Sequence, residues 1–92
     1  MTATARTHLL IKGRVQGIGF RFFAVETARR MGVSGWVRNL ANGDVEAEAE
    51  GVPQTVAAFI QELKAGHRWA RVDSVAETPV AASGKKEPFD IY

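Results

Sequence analysis

The stretch "VSGWVRNLANGDVEAEAEG", residues 33–51, decides the fold, because it reads as a hairpin whose register fixes which side chains face the core. A two-residue Asn42-Gly43 turn would set Val37 opposite Glu48 and Leu40 opposite Val45, mixing polar and apolar on each face. A three-residue loop, Ala41-Asn42-Gly43 with Gly43 left-handed, pairs Leu40 with Asp44 instead. Val37 then meets Ala47, Gly35 meets Ala49 and Asn39 meets Val45 on one face. Arg38 meets Glu46 and Trp36 meets Glu48 on the other. This register yields an apolar face and an opposite-charge cross-strand pair, so it is the expected one. It sends Asn39 to the buried side.

Working back from the hairpin, Gly32 stands where a helix-ending glycine belongs. Before it, Phe20, Ala24, Ala28 and Met31, flanked by Phe23 and Thr27, form one helical stripe. "THLLIKGRV" reads as a strand in which Leu9 and Ile11 face inward. Between strand and helix lies "GRVQGIGFRFF", residues 13–23, with three glycines and an arginine set among phenylalanines. Those phenylalanines are expected to clamp the helix start into the core. Forward from the hairpin, Pro53 opens a second helix, Val56, Phe59, Ile60 and Leu63 keep the 3.6 spacing, and Gly66 closes it. "RVDSVAETPV" is a weaker strand, "ASGKKE" a loop and "PFDIY" a short terminal strand. The order is β-α-β-β-α-β with an extra strand: an α+β, ferredoxin-like sandwich with two helices on one face of an antiparallel sheet.

Ninety-two residues fit a single domain. Without cysteine, disulfide scaffolds and thiolate metal sites are excluded, and a reducing, cytoplasmic setting is expected. No apolar run reaches membrane-span length, and "MTATARTH" lacks a signal-peptide core. The net charge of +2 hides an asymmetry. Residues 1–43 carry Arg6, Lys12, Arg14, Arg21, Arg29, Arg30 and Arg38 against Glu26 alone, whereas residues 44–63 are acidic. A basic half attracts anions, small or polymeric, and solvated surface charge is the ordinary alternative.

In a right-handed β-α-β unit the first two strands run parallel, so their C-terminal ends share one sheet edge. The glycine loop, the helix start, Arg21 and Asn39 should therefore converge. Successive glycines let amides turn inward as an anion-binding nest, and the helix N-terminus adds free donors. Arg21 can grip two phosphate oxygens, and Asn39 offers both a donor and an acceptor. A plain strand-to-helix turn beside a surface arginine is the simpler reading of the same residues. Neither a Walker A nor a Rossmann glycine pattern is present.

"GRVQGIGFR" followed by "GWVRNLANGDVEAEAEG" closely resembles the signature segments of the acylphosphatases, and "FDIY" resembles their usual ending. The likeness runs over residues 7–92, leaving residues 1–6 as an expected mobile tail. It implies a ferredoxin-like fold and metal-free, cofactor-free hydrolysis of carboxyl phosphates such as acetyl or carbamoyl phosphate. By matched position, Arg21 would bind phosphate and Asn39 would hold the attacking water. The amides of Gln16, Gly17, Ile18, Gly19 and Phe20 would form the cradle, and Tyr92 would bring its terminal carboxylate near Arg21. Ile18 replaces a commoner valine, and "GHRWARVD" replaces a Gly-Pro-Pro turn, predicting a local loop change there.

The inventory disfavours other routes. His8 and His67 both lie away from the glycine loop in sequence, and the acidic residues are too scattered to hold Mg²⁺. A monomer acting on a small acyl phosphate is expected. The rival is an RNA-binding ferredoxin-like module, since that fold often binds RNA through sheet aromatics and basic residues. Against it, Trp36 is the one aromatic assigned to the open face, and Glu46 and Glu48 surround it.

Overall fold

Alternation of apolar residues at Leu9 and Ile11, both fully buried, turns Ala5–Arg14 into strand β1. The computed structural model describes residues 3–92. Helix α1 (Phe20–Met31) buries Phe20, Ala24, Val25, Thr27 and Ala28, and Gly32 ends it in the left-handed region at φ 73°. Strands β2 (Ser34–Asn39) and β3 (Val45–Gly51) form the hairpin, helix α2 (Pro53–Ala65) follows, and β4 (Arg71–Val80) and β5 (Asp90–Ile91) complete the chain. Both helices pack against the sheet residues of one core, in which Leu9, Ile11, Val37, Val45, Ala47, Phe59, Leu63 and Phe89 are sealed from solvent.

The hairpin takes the expected register. Leu40 N–H donates to Asp44 O at 2.8 Å, and Gly35↔Ala49, Val37↔Ala47 and Asn39↔Val45 pair on the core face. Across the other face Arg38 Nε lies 2.6 Å from Glu46 Oε1. The sheet order is β4-β1-β3-β2-β5. Four strands are antiparallel, but β5 pairs parallel with β2 through Trp36↔Asp90 and Val37↔Ile91, so the sheet is mixed rather than wholly antiparallel. The cause is the crossover through residues 81–89: β4 leaves the sheet at the end where β2 begins, and the chain then enters β5 from that end.

A buried carboxylate pins that crossover. Glu50, 3% exposed at the end of β3, accepts hydrogen bonds from the amides of Ser83 (2.8 Å) and Gly84 (2.9 Å), from Ser83 Oγ (3.2 Å) and from Arg6 Nη1 (2.9 Å). Burial pushes this carboxyl up, but the Ser83 amide, Arg6, the Gly84 amide and the Ser83 hydroxyl outweigh it and hold the group at about 2. The same contacts correct the expected tail at residues 1–6. Ala5 and Arg6 belong to β1, Ala5 pairing with Gly51, and Arg6 Nε also meets Glu48 Oε1 at 2.6 Å. Met1 and Thr2 lie outside the described residues.

Candidate active site

The three glycines at the end of β1 and in the loop that follows it have two different physical causes. At Gly13, φ is 138° and an added Cβ would sit 2.1 Å from Arg71 O, where the pairing of β1 with β4 shifts register. Gly17 and Gly19 have open space around them, yet their φ values of 77° and 82° are left-handed. Conformation, not crowding, selects glycine there. Left-handed residues alternating with ordinary ones are the geometry that turns amides inward as a nest.

Gly19 is also the N-cap of α1, and no side chain caps that end. Its carbonyl already accepts from Phe23 N–H at 3.0 Å. The first amides of the helix lack intrahelical acceptors, which suits an anion at that end. Asn39, the last residue of β2, reaches the same place from the sheet. A cavity of about 70 Å³ is lined by Val15, Gly17, Gly19, Phe20, Arg21, Phe22 and Asn39. The convergence expected from strand direction is therefore present. Asn39 Oδ1 is the sole buried side-chain polar atom without a hydrogen-bond partner among the described residues. No His, Asp or Glu lines this cavity among the described residues.

Arg21 is held from outside the loop. Its Nη1 donates to the main-chain oxygen of Tyr92 at 2.6 Å. Tyr92 is brought there because its own amide donates to Val37 O at 2.9 Å, extending β5 along β2 toward the Asn39 end. The Tyr92 ring lies 6.3 Å from that of Trp36, and Arg38 stacks over Trp36 at 5.5 Å. The family resemblance anticipates the Arg21–Tyr92 meeting but not the Trp36 support.

The family resemblance implies a cradle role for the Gln16 backbone amide; what the structure shows is a contact from its side chain. Nε2 donates to Leu40 O at 2.6 Å and to Asp44 O at 2.8 Å, tying the glycine loop to the hairpin beside Asn39. Nothing in local periodicity signals that clasp. The phenylalanines also differ from one another. Phe20 is 1% exposed, Phe23 packs edge-on against His67 at 5.6 Å, and Phe22 is 69% exposed. The expectation that all three clamp the helix start is corrected for Phe22, which lies about 200° around the helix from Phe20 and so cannot share its stripe.

The two histidines are occupied elsewhere. His8 Nε2 lies 2.7 Å from Glu46 Oε2 on the open face of the sheet, and His67 covers Phe23. The contact with His8, aided by Arg38 and opposed by burial, holds the Glu46 carboxyl below its usual range.

The acylphosphatase family model matches residues 7–91. The chain belongs to the acylphosphatase family. An acylphosphatase of an Anaeromyxobacter species is 47% identical over 91 residues, covering 99% of this chain and 98% of that protein. One from Bifidobacterium longum is 51% identical over 71 residues, covering 77% of this chain and 73% of that protein. The crystal structure of the Bacillus subtilis acylphosphatase superposes with a TM-score of 0.91 at 31% identity, covering 96% of this chain and 98% of that one. Hydrolysis of acyl phosphates is the activity of this family, and the ferredoxin-like sandwich read from the hairpin is its fold. No helix among the described residues is long and apolar enough to cross a membrane.

Proposed function

We propose that this acylphosphatase binds the phosphoryl group of a small carboxyl phosphate between Arg21 and the amides of Gln16, Gly17, Ile18, Gly19 and Phe20, while Asn39 holds the attacking water. The observation that carries the reading is the buried, partnerless Asn39 Oδ1 on the same cavity as Arg21 and the left-handed glycines. A buried acceptor without a partner costs about 1–3 kcal/mol, and a site that positions water gives that cost a use.

The chemistry balances without a general base. Water attacks phosphorus in line as the bond from phosphorus to the acyl oxygen breaks, the carboxylate leaves with the bonding pair, and a phosphoryl oxygen takes the water's proton. A carboxylate is a stable leaving group and the transition state is loose, so positioning and charge stabilisation carry the rate. Arg21 and the amide nest meet the charge on the equatorial oxygens, each donor contributing about 3 kcal/mol.

The substrate is a free small molecule, and the enzyme works as a cytoplasmic monomer. The paired state of the open face speaks against nucleic acid as the ligand. Arg6, His8 and Arg38 are each engaged by Glu46, Glu48 or Glu50, and the Trp36 ring is flanked by Arg38 and Tyr92. The test is steady-state release of phosphate from acetyl phosphate by purified protein, with inorganic phosphate as competitor. Saturable turnover with competitive inhibition supports the reading, and turnover that Arg21→Gln leaves intact overturns it.

A further inference from the structure

Resting on that reading of the phosphoryl site, we propose that the exposed Phe22 ring is the contact for the acyl group and gives this enzyme a preference for flat, apolar carboxyl phosphates. Size is the first reason. Cavities that enclose organic ligands usually measure about 300–1,000 Å³. The slot between the glycine loop and Asn39 measures about 70 Å³, room for a phosphoryl head and little more. The acyl group of any substrate must therefore lie outside the slot, against its rim.

The second reason is what the rim offers. Among the residues that line the slot, Val15 and Phe20 are 1% exposed and belong to the core, Gly17 and Gly19 have no side chains, and Arg21 and Asn39 are polar. Phe22 is the remaining one, 69% exposed. Helical periodicity turns it away from the stripe that Phe20 starts, so the core draws nothing from it. It lines the slot together with Arg21, which sets it at the mouth where the phosphoryl group enters. A large ring left in water next to a phosphate-sized slot offers a planar acyl group a stacking face, while a methyl covers little of it.

The test compares kcat/KM for benzoyl phosphate and acetyl phosphate in wild type, Phe22→Ala and Phe22→Tyr. Taking the ratio of the two substrates and comparing it between proteins cancels the different intrinsic lability of the two anhydrides. Aromatic pairing predicts that the benzoyl-to-acetyl ratio falls about three- to tenfold in Phe22→Ala and is kept in Phe22→Tyr. The change should sit in KM for benzoyl phosphate, with inhibition by inorganic phosphate following wild type more closely than benzoyl phosphate binding does. A ratio that stays the same in Phe22→Ala while both substrates are hydrolysed overturns the role of Phe22 and leaves the phosphoryl-site reading standing. Failure of wild type to hydrolyse either substrate overturns both.

Discussion

Replacing Asn39 with alanine should cost activity and leave stability nearly unchanged. The side chain ends β2 with its Oδ1 buried and without a partner. A group placed for folding would be satisfied by the protein, because an unpartnered buried acceptor costs about 1–3 kcal/mol. With water as its partner the carboxamide bears no such cost, and truncation to alanine breaks no bond within the protein and loses only a short, half-buried side chain, so the variant should lie within about 1 kcal/mol of wild type. Catalysis should suffer. Losing the group that fixes a nucleophilic water costs about two orders of magnitude in rate, equivalent to about 3 kcal/mol at the transition state. The loss should fall on kcat, since the phosphoryl group is held by other residues. The assays are urea unfolding of both proteins, steady-state hydrolysis of acetyl phosphate, and the inhibition constant for phosphate. Near-normal kcat would refute the water-holding role. A variant destabilised by more than about 2 kcal/mol would refute the claim that the carboxamide does nothing for the fold.

Arg21→Gln should raise KM for acetyl phosphate, weaken inhibition by phosphate and lower kcat, with kcat/KM falling about 10²- to 10³-fold, because both bound states use the guanidinium. Turnover should survive incubation with excess EDTA, and a loss restored by a divalent cation would overturn the metal-free mechanism. Glu50 makes the fold acid-sensitive in a definite window. Its pKa of about 2 in the folded protein, against 4.5 for an unperturbed glutamate, means the unfolded chain takes up the proton first as pH falls. Its contribution, about 3 kcal/mol, should be complete above about pH 4.5 and disappear as pH drops toward 2. Urea midpoints measured from pH 7 to pH 2 check this, and Glu50→Gln should lower stability at pH 7 and flatten that part of the profile. Because Glu50 pins the crossover leading to β5 and Tyr92, the same variant should also raise KM modestly.

The hairpin register is legible because period-two alternation and a glycine at the third loop position act between near neighbours. A one-residue slip would put Glu48 opposite Val37, and burial forbids it. The meeting of Arg21 and Asn39 follows from strand direction and the handedness of a β-α-β unit, a rule about topology that sequence order carries. The glycines stand out as a group, but their separate causes do not. Gly13 is required by a close approach of Arg71, far away in the chain, while Gly17 and Gly19 are required by their own backbone. The stripe of Phe20, Phe23, Ala24, Thr27 and Ala28 already leaves Phe22 off the core face, but its place on the lining of the slot depends on how α1 packs beside the end of β2, which no local pattern carries.

Local chemistry written in the chain determined the elements, the pairing of β2 with β3, the face to which Asn39 turns and the family, since each depends on residues close in sequence or on one rule of handedness. Tertiary structure alone decided the Gln16 clasp onto the hairpin, the parallel docking of β5, the Tyr92 oxygen at Arg21 and the burial of Glu50 against Ser83 and Gly84. The hydrogen bonds among them join residues 24 to 71 positions apart. Loop-closure entropy opposes each of them singly, so they form only when packing of the whole core brings their partners together, and no local pattern announces them.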